Sequence, residues 1–127
     1  MQTAAPLILQ VEDEENIRKL ISVNLEKRGY RVLEAHNGQQ GLDHLRDVQP
    51  DLLILNMKLP DISGMEILEH LNEKDVPTTE IPVILISAYE IDKNQIQNQH
   101  PRVVKIFTKP FDVKEVIEFI YEIVPHQ

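Results

Sequence analysis

The stretch PDLLILNMKLPDISGMEIL, residues 50–68, decides how the chain is read. Residues 52–55 are continuously apolar, the pattern of a strand covered on both faces. The turn-prone Pro60-Asp61 follows. Ser63 and Glu66 then stand at the spacing of a capping box, which predicts a helix running to about Asn72. A doubly covered strand that gives way to a helix is the unit from which parallel sheets are built.

The alternation continues in both directions. Upstream, residues 7–11 form a first strand, apolar apart from Gln10. Residues 14–28 follow as a helix with Ile17, Leu20, Ile21 and Leu25 on one face, and Gly29 suits its C-terminal cap. A weaker second strand is expected over 31–35, then a short helix over 38–47 that Asn37 can cap. Downstream, 82–87 reads as a fourth strand, the mostly polar 91–100 as a short fourth helix, and 103–107 as a fifth strand. Asp112 and Glu115 cap a last helix whose Val113, Val116, Ile117, Ile120 and Val124 face inward. The polar stretch 72–80 is expected to be a loop. Strand and helix in alternation imply parallel pairing through right-handed crossovers, in an α/β sandwich with helices on both faces of a central sheet. With no repeat or linker in its 127 residues, the chain reads as a single domain, its core about 7–124.

Composition narrows the function classes. No cysteine is present, so neither a disulfide framework nor a thiolate metal site is available. A formal net charge of -8 repels nucleic acid phosphates, so no direct nucleic acid partner is expected. The N-terminus does not read as a signal peptide, and the longest apolar runs, 52–55 and 82–86, are too short to span a bilayer. No membrane partner is expected, and cytoplasmic residence is the default.

In an open parallel sheet, ligands bind outside the carboxyl ends of the strands. Those ends carry Glu12 and Asp13, Asn56, Ser87 and Lys109. Each has a plainer use. The acidic run 12–15 complements a helix dipole, Ser87 bonds to backbone, and Lys109 is a solvated surface lysine. Their conjunction at one rim suits a divalent cation and a phosphoryl group: hard oxygens for the metal, donors for the phosphate.

The strings LILQVEDEENIRKLI, GYRVLEAHNGQQGLDHL, PDLLILNMKLPDISGMEIL, IPVILISAYE and FTKPFD, in this order across nearly the whole chain, resemble the receiver domains of two-component response regulators. The resemblance implies a flavodoxin-like fold with parallel strand order 2-1-3-4-5. It implies a magnesium site made by Glu12, Asp13, the side chain at position 56 and the backbone carbonyl of Lys58. Asn56 falls at the phosphoacceptor position, Ser87 and Lys109 at the phosphoryl-binding positions. Pro60 and Gly64 fall where the family shapes the adjoining loop, and Lys109-Pro110 at a bond that is usually cis. The implied partners are a histidine kinase or phosphotransfer protein, docking on the rim and first helix, and an output domain or partner protein on the face of helix 4, strand 5 and helix 5.

The departures shape the expectation. An amide oxygen is a poor nucleophile and forms no acyl phosphate, so phosphorylation at position 56 is not expected. Magnesium binding is expected to weaken with one anionic ligand fewer, and Lys109 to lose its salt-bridge partner. The intact Ser87 and Lys109 favour an engineered replacement or recent loss over a long-degenerate receiver. Many receivers carry an aromatic three residues before the lysine. Here that residue is Ile106, and Phe107 should face the opposite way. Any conformational response is therefore expected in the loop after Ser87, where Tyr89 reads as a half-exposed surface residue, and in the fourth helix. Residues 98–102, Asn-Gln-His-Pro-Arg, replace the family's small-residue turn and suggest a divergent partner face. The histidines at 36, 44, 70, 100 and 126 show no ligand spacing and read as solvated. The alternative is a phosphate-independent protein–protein interaction module on the same fold. An enzyme is not expected, since neither a glycine-rich phosphate loop nor a D-x-D pair follows the first strand.

Overall fold

The computed structural model describes residues 5–72 and 80–126, so most of the loop expected over 72–80 lies outside the described residues. Five strands and five helices alternate: β1 (Leu7–Val11), α1 (Glu15–Lys27), β2 (Arg31–Ala35), α2 (Gly38–Asp47), β3 (Leu52–Asn56), α3 (Gly64–Leu71), β4 (Val83–Ser87), α4 (Lys93–Gln99), β5 (Val103–Thr108) and α5 (Val113–Ile123). All strand pairs are parallel, in the order β2-β1-β3-β4-β5. That is the flavodoxin-like order.

Side-chain parity divides the core into two layers. Leu53 and Leu55 of β3 pack with Leu42 and Leu45 of α2 and Ile67 and Leu68 of α3. Leu52 and Ile54 pack with Ile21 and Leu25 of α1 and Val116 and Ile120 of α5 on the opposite face. Every residue of β3 and β4 is buried, which accounts for their unbroken apolar runs. Ile106 enters the first layer and Phe107 the second, as alternation along β5 requires.

The helix ends follow local chemistry. Asn37 accepts from Gln40 N, Ser63 from Glu66 N, Asp92 from Gln95 N and Asp112 from Lys114 N, so four of the helices begin on a side-chain cap. Glu14 precedes α1 without a side-chain cap bond, and α1 is one residue shorter at each end than its sequence pattern suggests. Gly29 follows α1 with φ of +89°, the left-handed conformation that glycine adopts without strain. Gly64 is required for a different reason. A Cβ there would stand 2.7 Å from the Asn56 carbonyl oxygen and 2.9 Å from the Met57 Cα, so a side chain would push α3 off the end of β3.

One expectation for α1 needs correction. Leu20 does not face inward; it is 47% exposed, while Arg18 and Ser22 are buried beside Ile21 and Leu25. The reason lies in the sheet. Gln10 is fully buried on β1, and its amide donates to Ser22 Oγ (3.0 Å) and to the Arg18 carbonyl (3.2 Å), so α1 turns a polar edge toward it. A second correction concerns His100, which is buried at the C-terminal end of α4 rather than solvated.

Asp61 joins the loop after β3 to α2. Its carboxylate accepts from Gly38 N (2.8 Å) and Gln39 N (2.9 Å). Burial pushes its pKa up, but the N–H donors of Gln39 and Gly38 outweigh burial and hold it below the ordinary 3.8. A depressed folded-state pKa contributes stability that is complete above the unfolded-state value and lost as pH falls through the folded one. Asp61→Ala is therefore expected to lower the thermal midpoint at pH 7. In an acid titration followed by circular dichroism, the gap between variant and parent should close as pH drops below the usual aspartate range.

Candidate functional site

The register of β1 against β3 pairs Val11 with Leu55, which leaves Glu12 and Asp13 beside Asn56 just past the ladder. Asn56 in turn pairs with Ile86 of β4, one residue before Ser87. The backbone N–H of Lys109 donates to the Ser87 carbonyl (2.7 Å), fixing the end of β5 to the end of β4, and the Lys109-Pro110 peptide is cis. Four strand ends thus converge, and a cleft of about 190 Å³ opens between Asp13, Glu14, Asn56, Lys58 and Lys109.

Asn56 is the centre of the arrangement and is 4% exposed. Its amide nitrogen lies 3.1 Å from Glu12 Oε2, 3.1 Å from Asp13 Oδ1 and 3.0 Å from the Lys58 carbonyl oxygen. The reverse orientation of the amide would set a fourth oxygen against those three with no proton between them, so the nitrogen faces inward. Glu12 is buried, and its Oε2 also accepts from Glu14 N (3.0 Å). Burial raises its carboxyl above the ordinary value and the neighbouring Asp13 adds to the rise, while the Glu14 N–H and Lys109 oppose it.

Lys109 finds its acidic partners away from position 56. Its ammonium lies 2.9 Å from Glu14 Oε1 and 3.4 Å from Glu12 Oε1. Glu14, passed over in the sequence as helix-dipole complement, is thus the lysine's nearest carboxylate. Ser87 is buried at the end of β4, where its hydroxyl donates to the Tyr89 carbonyl (2.7 Å) and accepts from Tyr89 N (3.1 Å). It lines a neighbouring groove with Met57, Ser63 and Ile91 rather than the cleft around Asn56. Tyr89 itself points outward, 64% exposed.

Behind the acidic pair lies a support that the sequence reading missed. Arg18 donates through Nη1 to the Glu12 carbonyl (2.9 Å), and its Nε pairs with Glu34 Oε1 (3.3 Å). Ser22 Oγ donates to the other Glu34 oxygen (2.6 Å) and accepts from Gln10 Nε2 (3.0 Å). The chain Gln10–Ser22–Glu34–Arg18 therefore ties α1 and β2 to the backbone that carries Glu12. The available signal was Gln10, a lone polar residue in an apolar strand.

Among the described residues, no group of three or more histidine, cysteine or carboxylate side chains is placed to hold a metal. The rim offers two carboxylates and a carbonyl, and all three oxygens are directed at an N–H donor. As arranged, this donor set does not fit a magnesium ion: the inward atom at position 56 is a nitrogen carrying protons, where a hard cation needs an oxygen.

A flavodoxin-like sheet with acids, an amide, a hydroxyl and a lysine at its carboxyl rim defines a class, and comparison with known proteins narrows it. The model of the response regulator receiver domain matches residues 8–121, and the chain belongs to that family. It is 40% identical over 110 residues to the phosphate regulon transcriptional regulatory protein PhoB of Pseudomonas aeruginosa, covering 87% of this chain and 48% of that one. It is 36% identical over 119 residues to sporulation initiation phosphotransferase F of Bacillus subtilis, covering 93% of each. The chain thus spans about half of the transcriptional regulator and nearly all of the phosphotransferase. Among solved structures, the response regulator TrrA of Thermotoga maritima, in complex with magnesium and BeF, superposes with a TM-score of 0.78 at 29% identity, covering 93% of this chain and 98% of that one. A Francisella receiver domain shares the fold with a TM-score of 0.82 at 24% identity, covering 94% and 96%.

Removing the guanidinium would leave the Glu12 carbonyl without its donor and Glu34 with only the Ser22 hydroxyl. Arg18→Ala is therefore expected to cost about 2 kcal/mol or more of folding stability. Urea unfolding of the variant beside Leu20→Ala, whose side chain is exposed, measures it. Equal midpoints for the two variants would contradict the supporting role.

Proposed function

We propose that this chain is the receiver module of a two-component phosphorelay in which Asn56 stands at the phosphoacceptor position and takes no phosphoryl group. The observation that carries the reading is the placement of the Asn56 amide at the meeting point of Glu12, Asp13 and the Lys58 carbonyl, with Lys109 at the edge of the same cleft. In a receiver with aspartate at this position, a carboxylate oxygen attacks phosphorus as the bond to the phosphodonor breaks, leaving the donor dephosphorylated and an acyl phosphate on the aspartate. The amide lone pair is delocalised into the carbonyl, so the corresponding attack fails. The neutral side chain also brings no charge to a magnesium ion, which by itself makes the site poorer than one with aspartate.

On this reading Ser87 is the hydroxyl that would meet a phosphoryl oxygen. It would have to leave its bonds with the Tyr89 backbone to do so. The chain performs no catalysis of its own. Its upstream partner is a histidine kinase or a phosphotransfer protein, and its downstream partner meets the face of α4, β5 and α5. No described helix is long and apolar enough to cross a membrane.

A second reading, a constitutive interaction module, draws on the same geometry, since the acidic pair already has donors without phosphate. The test separates the two. Incubation with acetyl phosphate and magnesium chloride, followed by intact-mass measurement, is expected to give no phosphoryl adduct on the protein and a hydroxylamine-labile adduct on Asn56→Asp. An adduct mapped to Asn56 would overturn the proposal. An unreactive Asn56→Asp protein that still binds its partner would establish the interaction module instead.

A further inference from the structure

We propose that the Asn56 amide is an internal stand-in for the cation of this site, so that the acidic rim is shut against magnesium and does not merely bind it weakly. The inference rests on the receiver reading and goes a step past it. Loss of a charged ligand predicts a poorer metal site that is still open. The geometry describes a site whose three inward oxygens are already taken by a donor.

Three oxygens from separate points of the chain, Glu12 Oε2, Asp13 Oδ1 and the Lys58 carbonyl, stand within 3.0–3.1 Å of one nitrogen. An amide nitrogen carries two protons, so three acceptors share two donors, two of the acceptors being carboxylates. Hydrogen bonds to ionised acceptors are the strong ones, and the partial positive charge of the N–H2 group lies where the two acids come together. Lys109 adds its charge from the cleft side, 3.4 Å from Glu12 and 2.9 Å from Glu14. Between them, amide and ammonium serve as counter-charge for the rim.

A metal ion entering here must break all three amide contacts and turn the amide over to present Oδ1. The N–H2 group would then have to find acceptors at a position that is 4% exposed. Leaving a buried donor unpaired carries its full desolvation cost. The barrier to binding is therefore competition from the protein's own donor, in addition to missing charge.

Deleting the side chain distinguishes the two accounts, because Asn56→Ala removes the competing donor while restoring no charge. The measurement is a magnesium chloride titration of the protein, Asn56→Ala and Asn56→Asp, read by backbone amide shifts of residues 12–14 and 56–58. If the amide blocks the site, Asn56→Ala binds magnesium about ten-fold more tightly than the asparagine protein, the factor equivalent to one charge-assisted hydrogen bond. If Asn56→Ala binds no more tightly than the asparagine protein, charge loss alone explains the effect and the inference is wrong.

Should Asn56→Ala fail to fold, the side-chain N–H2 resonances of Asn56 give the answer in the unmodified protein. Slow solvent exchange and no shift at magnesium concentrations that saturate Asn56→Asp support the inference. Fast exchange, or a magnesium-dependent shift in that range, overturns it. An Asn56→Asp protein that itself ignores magnesium would count against the receiver reading, not against the amide's role.

Discussion

The parallel register of β1 against β3 is the constraint on which the rest depends. Val11 opposite Leu55 places the first residues beyond β1 next to the last residue of β3, and those residues are two acids and an amide. A one-residue slip would turn the buried leucines and isoleucines of both strands to the wrong layers, so the apolar pattern that builds the core also fixes the polar group positions. Gly64 adds a steric lock, since nothing larger than hydrogen fits between α3 and the end of β3. The core thereby sets the geometry of a site to which it contributes no chemistry.

Two carboxylates at such a rim are a standing electrostatic problem. Glu12 is buried, and both its own desolvation and the charge of Asp13 resist ionisation. The chain answers from three sides: the Glu14 N–H at the entry to α1, the Lys109 ammonium beyond β5, and the Asn56 amide. Arg18 works one layer deeper, on the carbonyl of Glu12 rather than its carboxylate, and is itself balanced by Glu34. A set of donors is thus distributed over α1, β3 and the end of β5, so the site is a product of the tertiary fold and of no single segment.

Much of this was legible before any coordinate. Strand and helix positions followed from apolar runs and caps, because buried parallel strands and side-chain capping leave local marks in sequence, and Asn37, Ser63 and Asp112 cap where expected. The rim residues followed from topology, since the strand ends are known once the strands are. What escaped depends on contacts between distant segments. Periodicity placed Leu20 inside, but the buried Gln10 across the interface recruits Ser22 and Arg18 to that edge of α1 and turns Leu20 outward. The partnership of Lys109 with Glu14 spans 95 positions and leaves no trace in spacing. The orientation of the Ser87 hydroxyl toward Tyr89 is a choice among local acceptors that strand assignment does not decide.

The residue at position 56 shows how little shape and chemistry need agree. Aspartate and asparagine fill the same volume, and either fits the fully buried end of β3 between β1 and β4. An aspartate there would add a third acid to Glu12 and Asp13, and the added negative charge would favour a bound cation at the rim. Asparagine replaces one acceptor oxygen with a donor of equal size, converting repulsion into three short contacts. Exchanging one for the other would change the electrostatic demand of the site without changing the volume the side chain fills. The architecture and the supporting Arg18–Glu34 pair are set by residues other than Asn56, while the charge balance of the rim turns on whether the inward atom at position 56 is a donor or an acceptor.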